Sequence, residues 1–165
     1  MLNRNDLRIT IAELRRVDLL NALSDDELGV LASAVKSRRF DNGEVLMHEG
    51  DESDRLYILR KGKLEAYARG EDGAPKHILE ITDSSHRNFF GEIALLTGGK
   101  RKASIRATTD VEVWDIGRDD LARLFRDRPL AGALIAEEAE ARLTEISPAT
   151  SAATILLTMR KVFGF

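Results

Sequence analysis

The sequence predicts an α+β fold: helices at both ends of the chain and, between them, an antiparallel barrel, either closed or built of two sheets. Two observations predict it. From about residue 39 to residue 118, short β-rich segments alternate with turn residues at close intervals. On either side of that stretch, apolar residues recur at helical spacing instead. At 165 residues, 43% of them hydrophobic and 32% charged, the chain is one domain's worth with enough apolar side chains for a core.

The elements follow in order. Leu7, Ile11, Leu14 and Val17 share one face of a helix near residues 5–20. Ser24-Asp25-Asp26-Glu27, preceded by Leu23, is a capping box, because serine and glutamate at that spacing can each bond the other's backbone N–H. It starts a helix through Leu28, Leu31 and Val35. Four turn groups come next: Asp41-Asn42-Gly43, Glu49-Gly50-Asp51, Lys61-Gly62 and Gly70-Glu71-Asp72-Gly73. They punctuate strands at Glu44–His48, Arg55–Arg60, Lys63–Arg69 and Lys76–Thr82, with two more at Lys102–Thr108 and Val111–Ile116. Asp119–Arg126 and Leu130–Ile146 read as helices; Pro129 suits the first turn of the second and Pro148 stops it. Ser147–Ala153 is a small, polar linker. Beyond it Ile155, Leu156, Met159, Val162 and Phe163 form one helical stripe beside Arg160 and Lys161. The expected division is 1–36 helical, 37–118 barrel, 119–147 helical, and 148–165 linker and amphipathic tail.

Composition closes off several functions. Lys and Arg number 25 against 28 Asp and Glu, a net charge of −3, so the whole chain carries no bias toward nucleic acid. There is no cysteine, hence no disulfide, thiolate nucleophile or cysteine-based zinc site, which fits a reducing compartment. No run approaches the ~20 apolar residues of a membrane-spanning helix, and Met1-Leu2-Asn3-Arg4 opens no secretory signal. A cytoplasmic setting is expected. His48, His77 and His86 fall in separate segments, without the grouping a metal enzyme on a barrel would need. No metal, cofactor or catalytic set is expected.

One segment carries chemistry. Phe90-Gly91-Glu92-Ile93-Ala94-Leu95-Leu96 reads as a glycine turn opening a short helix through Thr97, and a helix start offers unpaired N–H groups to an anion. Gly98-Gly99 lets the chain fold back, so that Arg101 in Arg101-Lys102-Ala103-Ser104-Ile105 reaches the same anion. Arginine grips phosphate through a fork of donors, and Glu92 is an acceptor suited to a sugar hydroxyl. Clamp plus acceptor describes a phosphorylated sugar ligand.

These two runs, at this spacing, resemble the phosphate-binding cassette of the cyclic nucleotide-binding domain family. Gly43-Glu44-Val45-Leu46, Gly50-Asp51 and Leu56-Tyr57-Ile58-Leu59 with Gly62 are similar to the family's strand and turn pattern, and the resemblance covers roughly residues 18–146. It implies a β-roll of the double-stranded β-helix or jelly-roll type, with the cassette at 90–105, acting as a sensor for cAMP or cGMP. It also implies roles. Glu92 would accept the ribose 2′-hydroxyl and Arg101 would bind the cyclic phosphate; Gly91 and Ile93 complete the tight turn. Ala94 and Lys102 would turn N–H groups to the phosphate, and Ala103 and Ser104 would complete the site, Ser104 with a hydrogen bond to phosphate or guanine. Lys100 and Lys102 stand where the family more often has proline and a small residue, and the loop 83–88 is longer and more polar than usual.

The expected mechanism is two-state: ligand favours one placement of the helix Leu130–Ile146, with Leu134, Ile135, Leu143 and Ile146 offering apolar contact to the base and Arg142 a polar one. Fewer than 20 residues follow Pro148, too few for a DNA-reading helix-turn-helix. The output is therefore expected through an attached or partner effector such as an ion channel or transporter, the chain being the soluble part of such a membrane protein. The tail 154–165 would either pack on the barrel or the N-terminal helices, or serve self-association or effector docking. The rivals are an assembly module with a vestigial cassette and, further off, a cupin-like metal enzyme.

Overall fold

The computed structural model describes residues 3–52, 54–85, 88–143 and 151–165. Helix α1, Arg4–Arg15, is opened by Asn3, whose side chain accepts from the N–H groups of Asn5 and Asp6. After a 3-10 turn at Asp18–Leu20 comes α2, Asp25–Ala34, with the capping box complete: Glu27 N donates to Ser24 Oγ at 3.2 Å and Ser24 N to Glu27 Oε2 at 2.8 Å. Helix α2 stops one residue early, because Val35 takes an extended ψ of 133° and leads into a strand.

Eight strands follow: β1 Lys36–Phe40, β2 Val45–Met47, β3 Arg55–Lys61, β4 Lys63–Arg69, β5 Pro75–Thr82, β6 Phe89–Phe90, β7 Ser104–Ala107 and β8 Val111–Gly117. They form two antiparallel four-stranded sheets, ordered β1-β8-β3-β6 and β2-β7-β4-β5. Six of the eight lie where alternation and turn residues put them. The other two were not legible. In β1, Lys-Ser-Arg-Arg-Phe has no alternation to read; it is a strand because it pairs with β8 from Lys36↔Asp115 to Phe40↔Val111. β6 has only two residues, too few to show a period, and is set by pairing of Phe89 and Phe90 with β3. Between β6 and β7 lies the short helix α3, Glu92–Thr97. The chain closes with α4 Arg118–Asp127, α5 Pro129–Leu143 and α6 Ala152–Phe163.

Two compact units result. One comprises Lys36–Leu95 and Gly99–Asp115. Its core gathers Tyr57, Leu59, Leu64, Ala66, Ile81, Phe90, Ile105, Ala107, Val111 and Val113 from both sheets, which is the interior of a β-roll. Strand β5 forms a free edge, and its first six residues are exposed, Ile78 and Leu79 among them.

The other unit comprises Met1–Val35, Leu96–Gly98 and Ile116–Phe165. In it α1 packs on α2, α2 on α4, and α6 on both α4 and α5, burying Leu14, Leu28, Leu31, Phe125, Ile135 and Met159. The tail stripe is used here: Ile155, Met159 and Phe163 are buried, and Phe125 meets Phe163 edge-on and Phe165 tilted, each with ring centroids 5.1 Å apart. Within its own unit the tail packs on α4 and α5. Leu157 of the tail is 60% exposed, and Leu156, Val162 and Phe165 are half-buried. Among the described residues, no helix is long and apolar enough to cross a membrane.

Candidate ligand site

Gly91 sits at the joint of β6 and α3 with φ +86°, a backbone conformation open to glycine and strained for other residues. That turn aims its carbonyl at Arg101. Arg101 Nη1 donates to Gly91 O at 2.8 Å and Nη2 to Arg55 O at 3.1 Å. A Cβ on Gly91 would run into the guanidinium and lie 3.0 Å from Arg55 O, so the absence of a side chain makes the approach feasible. The backbone of Arg101 is pinned as well. Its N–H donates to Asp51 O at 2.8 Å, Gly50 N–H donates to its carbonyl at 2.9 Å, and Glu52 bridges Lys100. The turn Glu49-Gly50-Asp51 therefore holds the arginine's main chain, while Gly91 and Arg55 hold its head.

The head lies deep: Arg101 is only 5% exposed. Its guanidinium carbon is 5.7 Å from the ring centroid of Tyr57, which stacks on Phe90 at 5.1 Å. Burial lowers the pKa of Arg101 from its ordinary value, and the fields of Tyr57, Asp54, Glu92 and Asp51 oppose that shift. Burial likewise raises the pKa of Tyr57, against the fields of Arg38 and Arg101, so Tyr57 remains a neutral phenol. Among the described residues the Arg101 guanidinium bonds only to the two carbonyls, and no carboxylate forms an ion pair with it. A desolvated cation held by neutral acceptors favours an anion. Of the five N–H groups that a guanidinium carries, the carbonyls occupy two among the described residues.

Glu92, 5% exposed, opens α3 beside this group, and its field acts on Arg101. Ala94 is buried in the same helix; Ile93 lies within it. Lys102 is exposed and Ala103 packs against the barrel core. Ser104 is not brought to the group. Ile105 and Ala107 of β7 point into the core, so by strand alternation Ser104 and Arg106 face the other way. The Ser104 hydroxyl accepts from Glu49 N at 2.9 Å and lines an outer cleft of about 390 Å³ with His48, Glu49, Tyr67 and Arg69.

Of the lid candidates, Ile135 is buried within the helical unit and Leu134 is half-buried. Arg142 and Leu143 end α5, with side chains outside the described set, and Ile146 lies outside the described residues altogether. One exposed apolar residue near the barrel interior was not singled out from the sequence. Leu79 pairs with Ala66, and alternation puts it on the same inner face as buried Ile81, yet it is 46% exposed. It is partly exposed apolar surface on the barrel's inner wall. No sequence signal separates a covered leucine from an uncovered one in such a strand. Among the described residues, no three or more His, Asp or Glu gather as a metal site would need.

The comparisons agree with the fold. The sequence profile described as cyclic nucleotide-binding domain matches residues 37–128. The cAMP-dependent protein kinase regulatory subunit of Emericella nidulans is 36% identical over 118 residues, which is 72% of this chain but 27% of that protein. The chain thus spans about a quarter of the length of the curated relatives it matches. The N-terminal domain of a transcriptional regulator from Streptomyces coelicolor A3(2) superposes with a TM-score of 0.70 at 29% identity, covering 83% of this chain and 94% of that one. The regulatory subunit of a cAMP-independent protein kinase A from Trypanosoma cruzi, bound to guanosine, gives a TM-score of 0.68 at 30% identity, covering 84% of this chain and 46% of that one.

Proposed function

This chain belongs to the cyclic nucleotide-binding domain family, and on that premise we propose that it senses a cyclic nucleotide through Arg101 and Glu92. It is a binding and regulatory domain, not a catalytic one. The observation that carries the reading is the buried guanidinium of Arg101, held by two carbonyls and without an ion-paired carboxylate among the described residues. In this proposal the cyclic phosphate takes donors of Arg101, Glu92 accepts the ribose 2′-hydroxyl, and Leu79 offers apolar surface to the base. Helix α5 responds to the ligand. The Emericella nidulans relative, a cAMP-dependent protein kinase regulatory subunit by name, supports cAMP as the ligand.

The expected channel or transporter effector has no counterpart among the relatives named above. Kinase regulation, within a longer protein or by a partner, is the output that the kinase relatives support. The guanosine-bound relative supports a second reading, a nucleoside ligand without phosphate.

Calorimetric titration with cAMP, cGMP and guanosine separates the two. The cyclic nucleotides should bind wild type, and Arg101→Ala should weaken them by roughly tenfold to more than a hundredfold, the worth of a charge-assisted hydrogen bond at about 1.5–3 kcal/mol. Equal binding by a folded Arg101→Ala protein, or binding of guanosine alone, overturns the reading.

A further inference from the structure

Asp115, in β8, is fully buried, 0% exposed. Its Oδ1 accepts from Arg55 Nη1 at 2.7 Å, and its Oδ2 lies 2.7 Å from Arg38 Nε without the alignment of a hydrogen bond. Arg55 is therefore held at two places. Its side chain is tied to Asp115, and its carbonyl is one of the two that carry Arg101. Arg55 is the first residue of β3, where a strand's backbone is least restrained by its ladder. Asp115, by contrast, lies within β8 and pairs with Lys36 of β1, so the carboxylate comes from a fixed frame. A buried ion pair contributes little net stability, because desolvation offsets the Coulomb gain. What it fixes here is direction.

We propose that Asp115 is a positioning residue for ligand binding: by anchoring Arg55 it holds the Arg55 carbonyl where Arg101 must rest. The proposal depends on Arg101 being the phosphate ligand, as argued above. It predicts a sign that charge alone cannot give. Asp115 as a mere negative charge opposes an anionic ligand, so its neutralisation would strengthen binding. Asp115 as an anchor requires the reverse. Removing Arg55's side chain takes away positive charge but cuts the same link, so both changes should weaken binding alike.

The test is a double-mutant cycle. Wild type, Asp115→Asn, Arg55→Met, Arg101→Ala and the two doubles with Arg101→Ala are titrated with cAMP by calorimetry, after thermal melts establish that each is folded. Asp115→Asn and Arg55→Met should each weaken cAMP by about tenfold, the scale of one hydrogen bond to a charged group. Neither should have a further effect once Arg101 is alanine. Unchanged or tighter binding by Asp115→Asn overturns the proposal, as does a loss that persists in full in the Arg101→Ala background, the mark of a general structural role. If Asp115→Asn does not fold, Arg55→Met decides the matter, since that side chain is partly exposed. Wild-type binding there overturns the proposal. If wild type binds no cAMP, or Arg101→Ala binds it equally well, the phosphate reading itself is wrong and Asp115's role falls with it.

Discussion

Gly91 meets two demands at once, a positive φ and a guanidinium packed where a side chain would be. Alanine there is strained by about 1–2 kcal/mol and also pushes Arg101 off the Gly91 carbonyl. Gly91→Ala should therefore lower the melting temperature and weaken cyclic nucleotide at least as much as Arg101→Ala does. A protein that melts and titrates like wild type would remove Gly91 from the site. Glu92 makes a separate prediction. If it reads the ribose, the 2′-deoxy ligand binds wild type worse by roughly 1.5–3 kcal/mol, the scale of one lost hydrogen bond to a charged group. Glu92→Gln should narrow that gap, and equal titration curves for ligand and deoxy analogue would end the assignment. Gly91, Glu92 and Arg101 were singled out in the sequence because each proposed role needs its own residue type. Arg55 and Asp51 were not, since they serve Arg101 through main-chain carbonyls, which every residue carries. Ser104 is a different case: motif position suggested the ligand, whereas strand alternation turns the hydroxyl to the outer face, where it accepts from Glu49 N.

At the level of elements, legibility followed local chemistry. The start of α2 was readable because Ser24 and Glu27 close a box within four residues. Ser24→Ala should cost about 1 kcal/mol, seen as a shift in denaturant midpoint without a change in slope. An unchanged midpoint would mean that the rest of the helical unit holds that end alone. β1 and β6 had no such signature, since pairing with β8 and β3 makes them strands. The tail lies between these cases. Its stripe announced a helix, but α4 and α5, whose own faces the sequence does not rank, decided what the stripe would meet. The expected exit of α2 at Val35 missed by one residue, because the chain turns there into β1.

For the molecule as a whole, the order of helices and strands was readable because turn residues and helical stripes are written locally. The strand order within each sheet was not, since it depends on partners far apart in sequence, such as Phe40 and Val111. The free edge of β5 governs how one copy meets another in concentrated solution. A bare strand edge with Ile78 and Leu79 exposed is a template for stacking chains into aggregates. Pro75 withholds a donor at its start, Lys76 brings charge beside it, and the irregular register against Ala66 and Tyr67 spoils a flat match. These three features work against edge-to-edge pairing, and none of them belongs to the proposed ligand site. Replacing Lys76 with valine should leave the nucleotide titration as it was while light scattering climbs with protein concentration; scattering that stays at the wild-type level would mean that the proline and the bulge suffice to keep the copies apart.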